Sequence, residues 1–236
     1  MGLTEYIMRK RFAPGKGVTK PPPDRGIRLF FFVLYTHFWE LVKLNLLLLA
    51  FCIPIITIPA AFCGANRVII NLIYEGDSFL WSDFIAEFKG SFFRSIPFGA
   101  IFAFLLLESI IACRISFTES GISIPIMAPA IFLLGITIIF FSYVFIFLPA
   151  FDLKNRHIAK NAFIFTLTEW KTNLIIIACT AVMTIILAAI AMYAILIAIF
   201  LFVFIYYSFS QLIICSAAIA PMKKRIIVPY EQNQKT

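Results

Sequence analysis

Apolar residues in this chain come in long blocks separated by short clusters of charge, and the longest block identifies the surrounding medium. From Leu174 to Ala220 there are 47 residues without an Asp, Glu, Lys or Arg, nearly all of them Ile, Ala, Leu, Phe and Val. As one straight helix this block would extend about 70 Å at 1.5 Å per residue, roughly twice the 30 Å hydrocarbon core of a bilayer. It therefore predicts a hairpin of two membrane-crossing helices. Tyr193, the only aromatic residue between Leu174 and Ile199, is the expected marker of the turn.

Four further apolar blocks precede it. Leu29 to Phe51 is interrupted by His37, Glu40, Lys43 and Asn45, and Pro54 and Pro59 then bracket Ile55 to Ile58, where a helix should break. Ala60 to Tyr74 follows, a short block containing Arg67; Ile96 to Cys113 and Ile124 to Phe151 flank a polar loop, Arg114 to Ser123. Two stretches are mixed. In residues 78 to 95, Trp81, Phe84, Ile85, Phe88 and Phe92 recur at helical spacing while Asp83, Glu87 and Lys89 supply charge, and residues 152 to 173 form a second, basic amphipathic stretch. The predicted fold class is all-α: a polytopic α-helical membrane protein of about six transmembrane helices, five if Ala60 to Tyr74 is not a full span, with amphipathic helices at the cytoplasmic interface.

Charge supplies the orientation. With six crossings, Arg114 is the only Lys or Arg in the outer loops. Lys43 and Arg67 lie within apolar blocks, and the rest of the 20 gather on one side. Five crossings, with the N-terminus inside, would put more basic residues outside than inside. Because cytoplasmic loops hold the excess of Lys and Arg, the count predicts six crossings with both termini cytoplasmic. Residues 1 to 28 read as a basic, unfolded cytoplasmic tail, 29 to 221 as one helical membrane domain and 222 to 236 as a basic C-terminal tail containing Lys223-Lys224-Arg225. The N-terminal stretch is too long and too charged for the n-region of a cleaved signal peptide, so it is expected to persist. The net charge of +8 sits in these loops and tails, which points to anionic lipid rather than nucleic acid.

Composition agrees. Hydrophobic residues make up 62% of the chain and charged residues only 14%, with a mean hydropathy of +0.97; soluble domains carry roughly 25% charge. The five cysteines lie in apolar blocks without a CxxC pair, so they read as small hydrophobes rather than disulfide or zinc ligands.

Candidate chemistry rests on the polar residues inside the apolar blocks. A carboxylate in hydrocarbon costs roughly 2.5 to 3.5 kcal/mol on insertion scales, which makes Glu108 the sharpest candidate, with Arg67 as its expected counter-ion. Such a pair would be a structural staple or a proton or ion relay, and Glu108→Gln and Arg67→Gln would each lower stability in detergent. Glu40 and Lys43, three residues apart beside Trp39, would neutralise each other near the inner interface. Ser208, Ser210 and Gln211 read as interhelical hydrogen-bond glue, Lys43, Asn45 and Gln211 join Glu108 and Arg67 as intramembrane polar candidates, and Ala60-x-x-x-Gly64 and Ala194-x-x-x-Ala198 read as close-packing spacings. His37 and Glu40 stand at HxxE spacing, but His157 is the only other histidine, so no metal set is expected. Hydrolase and nucleotide-binding signatures are absent, so no catalytic residues and no cofactor are assigned, and a non-enzymatic protein is expected.

Several runs carry a resemblance: Lys43-Leu44-Asn45-Leu46-Leu47, Ile53-Pro54-Ile55-Ile56-Thr57-Ile58-Pro59-Ala60-Ala61, Trp81-Ser82-Asp83-Phe84 with Phe88-Lys89, Leu148-Pro149-Ala150-Phe151 and Lys160-Asn161-Ala162. Together they resemble the YesL-like family of bacterial integral membrane proteins, domain of unknown function 624. The resemblance singles out Asn45, Pro54, Thr57, Trp81, Asp83, Phe84, Pro149 and Asn161 as family-like positions. It implies a multi-pass protein of the bacterial plasma membrane with a role near sugar uptake, as an accessory or assembly partner of carbohydrate ABC-transporter permease subunits. The alternative from the residues alone is a small transporter or channel using Glu108 and Arg67.

Overall fold

The computed structural model describes residues 26 to 222, apart from residues 75, 77, 119 and 120. The basic tail before residue 26 and the Lys223-Lys224-Arg225 cluster lie outside the described residues. Helices dominate: α1 (Gly26–Thr36), α2 (Phe38–Phe51), a 3-10 turn (Ile55–Thr57), α3 (Ile58–Tyr74) and α4 (Leu80–Ile115) come first. A two-residue antiparallel pairing, Phe117–Thr118 with Gly121–Ile122, then leads to α5 (Ile124–Ala150), α6 (Asn155–Thr168) and α7 (Trp170–Tyr193). The chain ends in α8 (Ile195–Leu201), a π-helical segment (Phe202–Tyr206) and α9 (Tyr207–Met222).

Five helices are long and apolar enough to cross a membrane, and a sixth crossing exists if α1 and α2 count as one broken span. Ala60 to Tyr74 is extended by the 3-10 turn to 20 residues, Ile55–Tyr74, long and apolar enough to cross. It is also the centre of the bundle, with twelve buried positions from Ala60 to Ile73. Leu29 to Phe51, expected as one helix, instead bends by 82° at His37. There His37 Nδ1 and Glu40 Oε2 meet at 2.8 Å, so Glu40 pairs with His37 rather than with Lys43, which is exposed.

Segment 78 to 95 and the span 96 to 113 are likewise not separate elements. They form the single 36-residue helix α4, with Pro97 inside it. At 1.5 Å per residue α4 is about 54 Å long, far more than a hydrocarbon core holds. Arg94 and Arg114 are 20 residues apart on it, about 30 Å, and bracket its apolar part. Residues 80 to 93 therefore project beyond the apolar layer. The long uncharged block does fold as a hairpin, breaking at Ala194 next to the exposed Tyr193.

The α3–α4 pair is the tightest contact in the bundle because small residues let the backbones approach. A Cβ on Gly64 would lie 2.9 Å from the Phe84 carbonyl oxygen, and one on Gly99 would lie 2.0 Å from Pro59 Cγ. In a membrane, where lipid is as apolar as a side chain, such close contact replaces the hydrophobic drive between helices. Between α3 and α4, Gly76 adopts φ +72°, the left-handed conformation that glycine enters without steric cost. Phe51 of α2 closes the pair by packing edge-on against Phe84 and Phe88 of α4 at 5.2 and 4.9 Å.

Candidate functional site

Buried amides hold the apolar layer together. Asn45 of α2, fully buried, reaches the π-helical segment, where the backbone ladder shifts and groups at its edges lose their α-helical partners. Its Nδ2 donates to the carbonyls of Phe202 at 3.0 Å and Val203 at 2.7 Å. Its Oδ1 accepts from the Ser208 backbone N–H at 3.1 Å, with Ser208 Oγ at 3.4 Å. One side chain thus completes the hydrogen bonding of the distorted turn. Elsewhere, Asn66 Nδ2 donates to the Phe145 carbonyl at 3.0 Å. Tyr143 donates its hydroxyl to Asn173 Oδ1 at 3.0 Å, and Asn173 Nδ2 donates to the Thr166 carbonyl at 2.6 Å.

A polar cavity of about 550 Å³ opens where the C-terminal half of α3, the projecting turns of α4 and the end of α5 converge. Arg67 and Asn71 come from α3, Asp83, Glu87, Ser91 and Arg94 from α4, and Pro149 to Asp152 close the wall. On α4 the charged positions 83, 87 and 94, with Ser91, recur every three or four residues, so one helix face carries them all. The aromatic series Phe84, Phe88 and Phe92 occupies another face.

Each charge in the wall has a local task. Asp83 Oδ2 accepts from Asn71 Nδ2 at 3.0 Å, Ser78 Oγ at 2.8 Å and the Phe79 N–H at 3.0 Å, tying the α3–α4 turn together and satisfying an orphan donor at the start of α4. Arg94 Nη1 meets Asp152 Oδ1 at 3.4 Å and its Nη2 donates to the Leu153 carbonyl, while Asn155 Nδ2 donates to the Arg94 carbonyl at 3.1 Å. Arg67 Nη1 donates to the Pro149 carbonyl at 2.9 Å. That carbonyl lies in the last turn of α5, where helical acceptors have no intrahelical donor and a cation is favoured. Ser91 Oγ donates to Glu87 Oε1. Neither the His37–Glu40 nor the Arg94–Asp152 ion pair involves Arg67 or Glu87, which line the cavity without pairing with each other.

The expected Glu108–Arg67 pair is not formed. Glu108 lies 21 residues beyond Glu87 on α4, about 30 Å along the axis, and is exposed. Two antiparallel helices joined by a short turn bring Arg67 beside the start of α4, not beside its end. The transporter or channel reading, which rested on that pair, loses its geometry. Thr57 Oγ1 lies 2.5 Å from the carbonyls of Phe51 and Pro54, so Thr57 and Pro54 shape the turn into α3. Phe84 is buried, Trp81 is exposed, and Asn161 is half-buried on α6. Gln211 Oε1 is buried without a hydrogen-bond partner. No group of three His, Cys, Asp or Glu among the described residues could hold a metal ion. Sequence reasoning passed over Asn66, Asn71, Ser91 and Arg94; the polar stripe on α4 was the available signal.

Residues 41–111 match the family model described as "Protein of unknown function, DUF624", in agreement with the YesL-like resemblance. The match includes Asn45, Thr57, Arg67, Asp83, Glu87 and Arg94, but not Pro149 or Asn161. No curated protein and no solved structure matches the chain.

Proposed function

We propose that this DUF624-like membrane protein is a non-enzymatic accessory or assembly partner of carbohydrate ABC-transporter permeases in the bacterial plasma membrane. The observation that carries the reading is α7. Of its 24 residues only Thr172, Asn173 and Ile176 are buried, whereas α3 buries twelve. A helix so lightly held by its own chain offers a continuous apolar face to the transmembrane helices of another protein. The resemblance supports the choice of partner, and the buried amides of Asn45, Asn66 and Asn173, spent on holding helices together, favour a scaffold over a conduit.

In this reading both termini and the polar cavity face the cytoplasm. Arg94, Lys154, Arg156 and Lys160 stand at the cavity end of the bundle, and Arg114 at the other. Cross-linking in intact cells followed by purification of the full chain tests the proposal. Carbohydrate permease subunits should co-purify, and a deletion strain should take up less sugar. Absence of those subunits together with unchanged uptake overturns it.

A further inference from the structure

The polar cavity has the charge pattern of a site for a dipolar ligand. Arg67 of α3 and Glu87 of α4 bring opposite charges to its lining, both half-buried, yet they do not pair with each other. Arg67 spends one N–H on a neutral carbonyl and Glu87 accepts from a neutral hydroxyl. The other charges of the lining are more fully occupied: Arg94 meets Asp152, and Asp83, though without a cation, accepts from three neutral donors that tie the α3–α4 turn. A cation and an anion that do not pair with each other in a partly desolvated cavity complement a molecule that carries both an anion and a cation. An anion alone would leave Glu87 opposed, and a cation alone would leave Arg67 opposed.

Position and a second cavity select the ligand's source. The polar cavity begins where the apolar part of α4 ends, at Arg94, and where α5 ends, at Ala150, which is the level of lipid headgroups. Farther along the same three helices, towards the middle of the apolar layer, lies a groove of about 410 Å³. It is lined by apolar residues that include Pro59, Phe62, Ala100, Ala103 and Phe145. A polar chamber at headgroup depth, followed by an apolar groove bounded by the same helices, suits an amphipathic molecule.

We propose that this site binds a zwitterionic membrane phospholipid bearing a primary amine. Its phosphate is held by Arg67, its ammonium by Glu87, and one acyl chain lies in the groove. A guanidinium matches phosphate geometry, and a carboxylate accepts N–H donors that a primary ammonium has and a trimethylated one lacks. The test is native mass spectrometry of the full chain in detergent, titrated with phosphatidylethanolamine, phosphatidylcholine and phosphatidylglycerol of identical acyl chains.

Phosphatidylethanolamine should be retained roughly tenfold more strongly than the other two, the scale of one charge-assisted hydrogen bond. Glu87→Gln should bring it down to the phosphatidylcholine level, and Arg67→Gln should weaken all three lipids. Arg67→Lys, which keeps the charge if the glutamine variant folds poorly, should retain most of the binding. Equal retention of the three lipids, a preference for phosphatidylethanolamine that survives Glu87→Gln, or binding unchanged in Arg67→Gln overturns the proposal. Phosphoethanolamine that raises the melting temperature while the lipid does not bind assigns the site to a soluble zwitterion and overturns the lipid assignment.

Discussion

Asn45 is the residue whose removal most directly tests the account of the apolar layer. Its amide makes three good hydrogen bonds, to the carbonyls of Phe202 and Val203 and from the N–H of Ser208, at 3.0, 2.7 and 3.1 Å. Interhelical hydrogen bonds in membrane proteins average about 0.6 kcal/mol each, so Asn45→Ala should lower stability by about 2 kcal/mol. The loss is larger if the freed backbone groups find no new partner, since a buried unsatisfied group costs roughly 1 to 3 kcal/mol.

Asn45→Asp is the sharper variant. It keeps the shape but presents oxygens to two carbonyl oxygens and buries a charge, so at neutral pH it should be less stable than the alanine variant by roughly a further 2 kcal/mol. The protonated acid can donate to one of those carbonyls. Ser208→Ala, which removes only the 3.4 Å contact, should change little. The assay is thermal or denaturing-detergent unfolding of the purified protein from pH 4 to 8. An aspartate variant as stable as the wild type at pH 7.5, or an alanine variant with no loss, would refute the clamp.

Three further outcomes follow from the geometry. Gly99→Ala and Gly64→Ala should each lose about 1 to 3 kcal/mol in the same unfolding assay because their Cβ atoms meet Pro59 and the Phe84 backbone, whereas Gly90→Ala, inside α4 with open space around it, should lose nothing and gain up to about 1 kcal/mol. Asp83→Ala should cost about 1 kcal/mol or more by releasing Asn71, Ser78 and the Phe79 N–H, visible as earlier proteolysis near Gly76. Glu108→Gln should leave unfolding unchanged, and proteoliposomes of the wild-type chain should show no ion flux that this substitution abolishes; a loss of stability or of flux would restore an interior role for that carboxylate.

Much of the architecture was legible in local pattern. A 47-residue uncharged block could only be a hairpin, and it breaks at Ala194, beside Tyr193. Ser208 and the Ala60-x-x-x-Gly64 spacing read as polar glue and close packing, and both lie at such contacts, whereas Asn45 stands out in the sequence only as a polar residue in an apolar block. Joining residues 78 to 95 to the following span was harder, because the amphipathic period and the apolar run look like two elements although the backbone continues through Pro97. Glu108 and Arg67 were paired on chemistry alone, without the helix register that separates them.

The sequence by itself determined the solvent, the helical class and the number of apolar crossings to within one, since these depend on composition and length against a bilayer of known thickness. Only the tertiary structure decided which polar residues meet. It set Arg67 at the end of α5, in the same cavity as Glu87 but not paired with it, and carried Asn45 to a π-helical turn 157 residues later. Such meetings depend on the direction and stagger of packed helices. A one-dimensional pattern shows which face of a helix is polar, but not what lies opposite it.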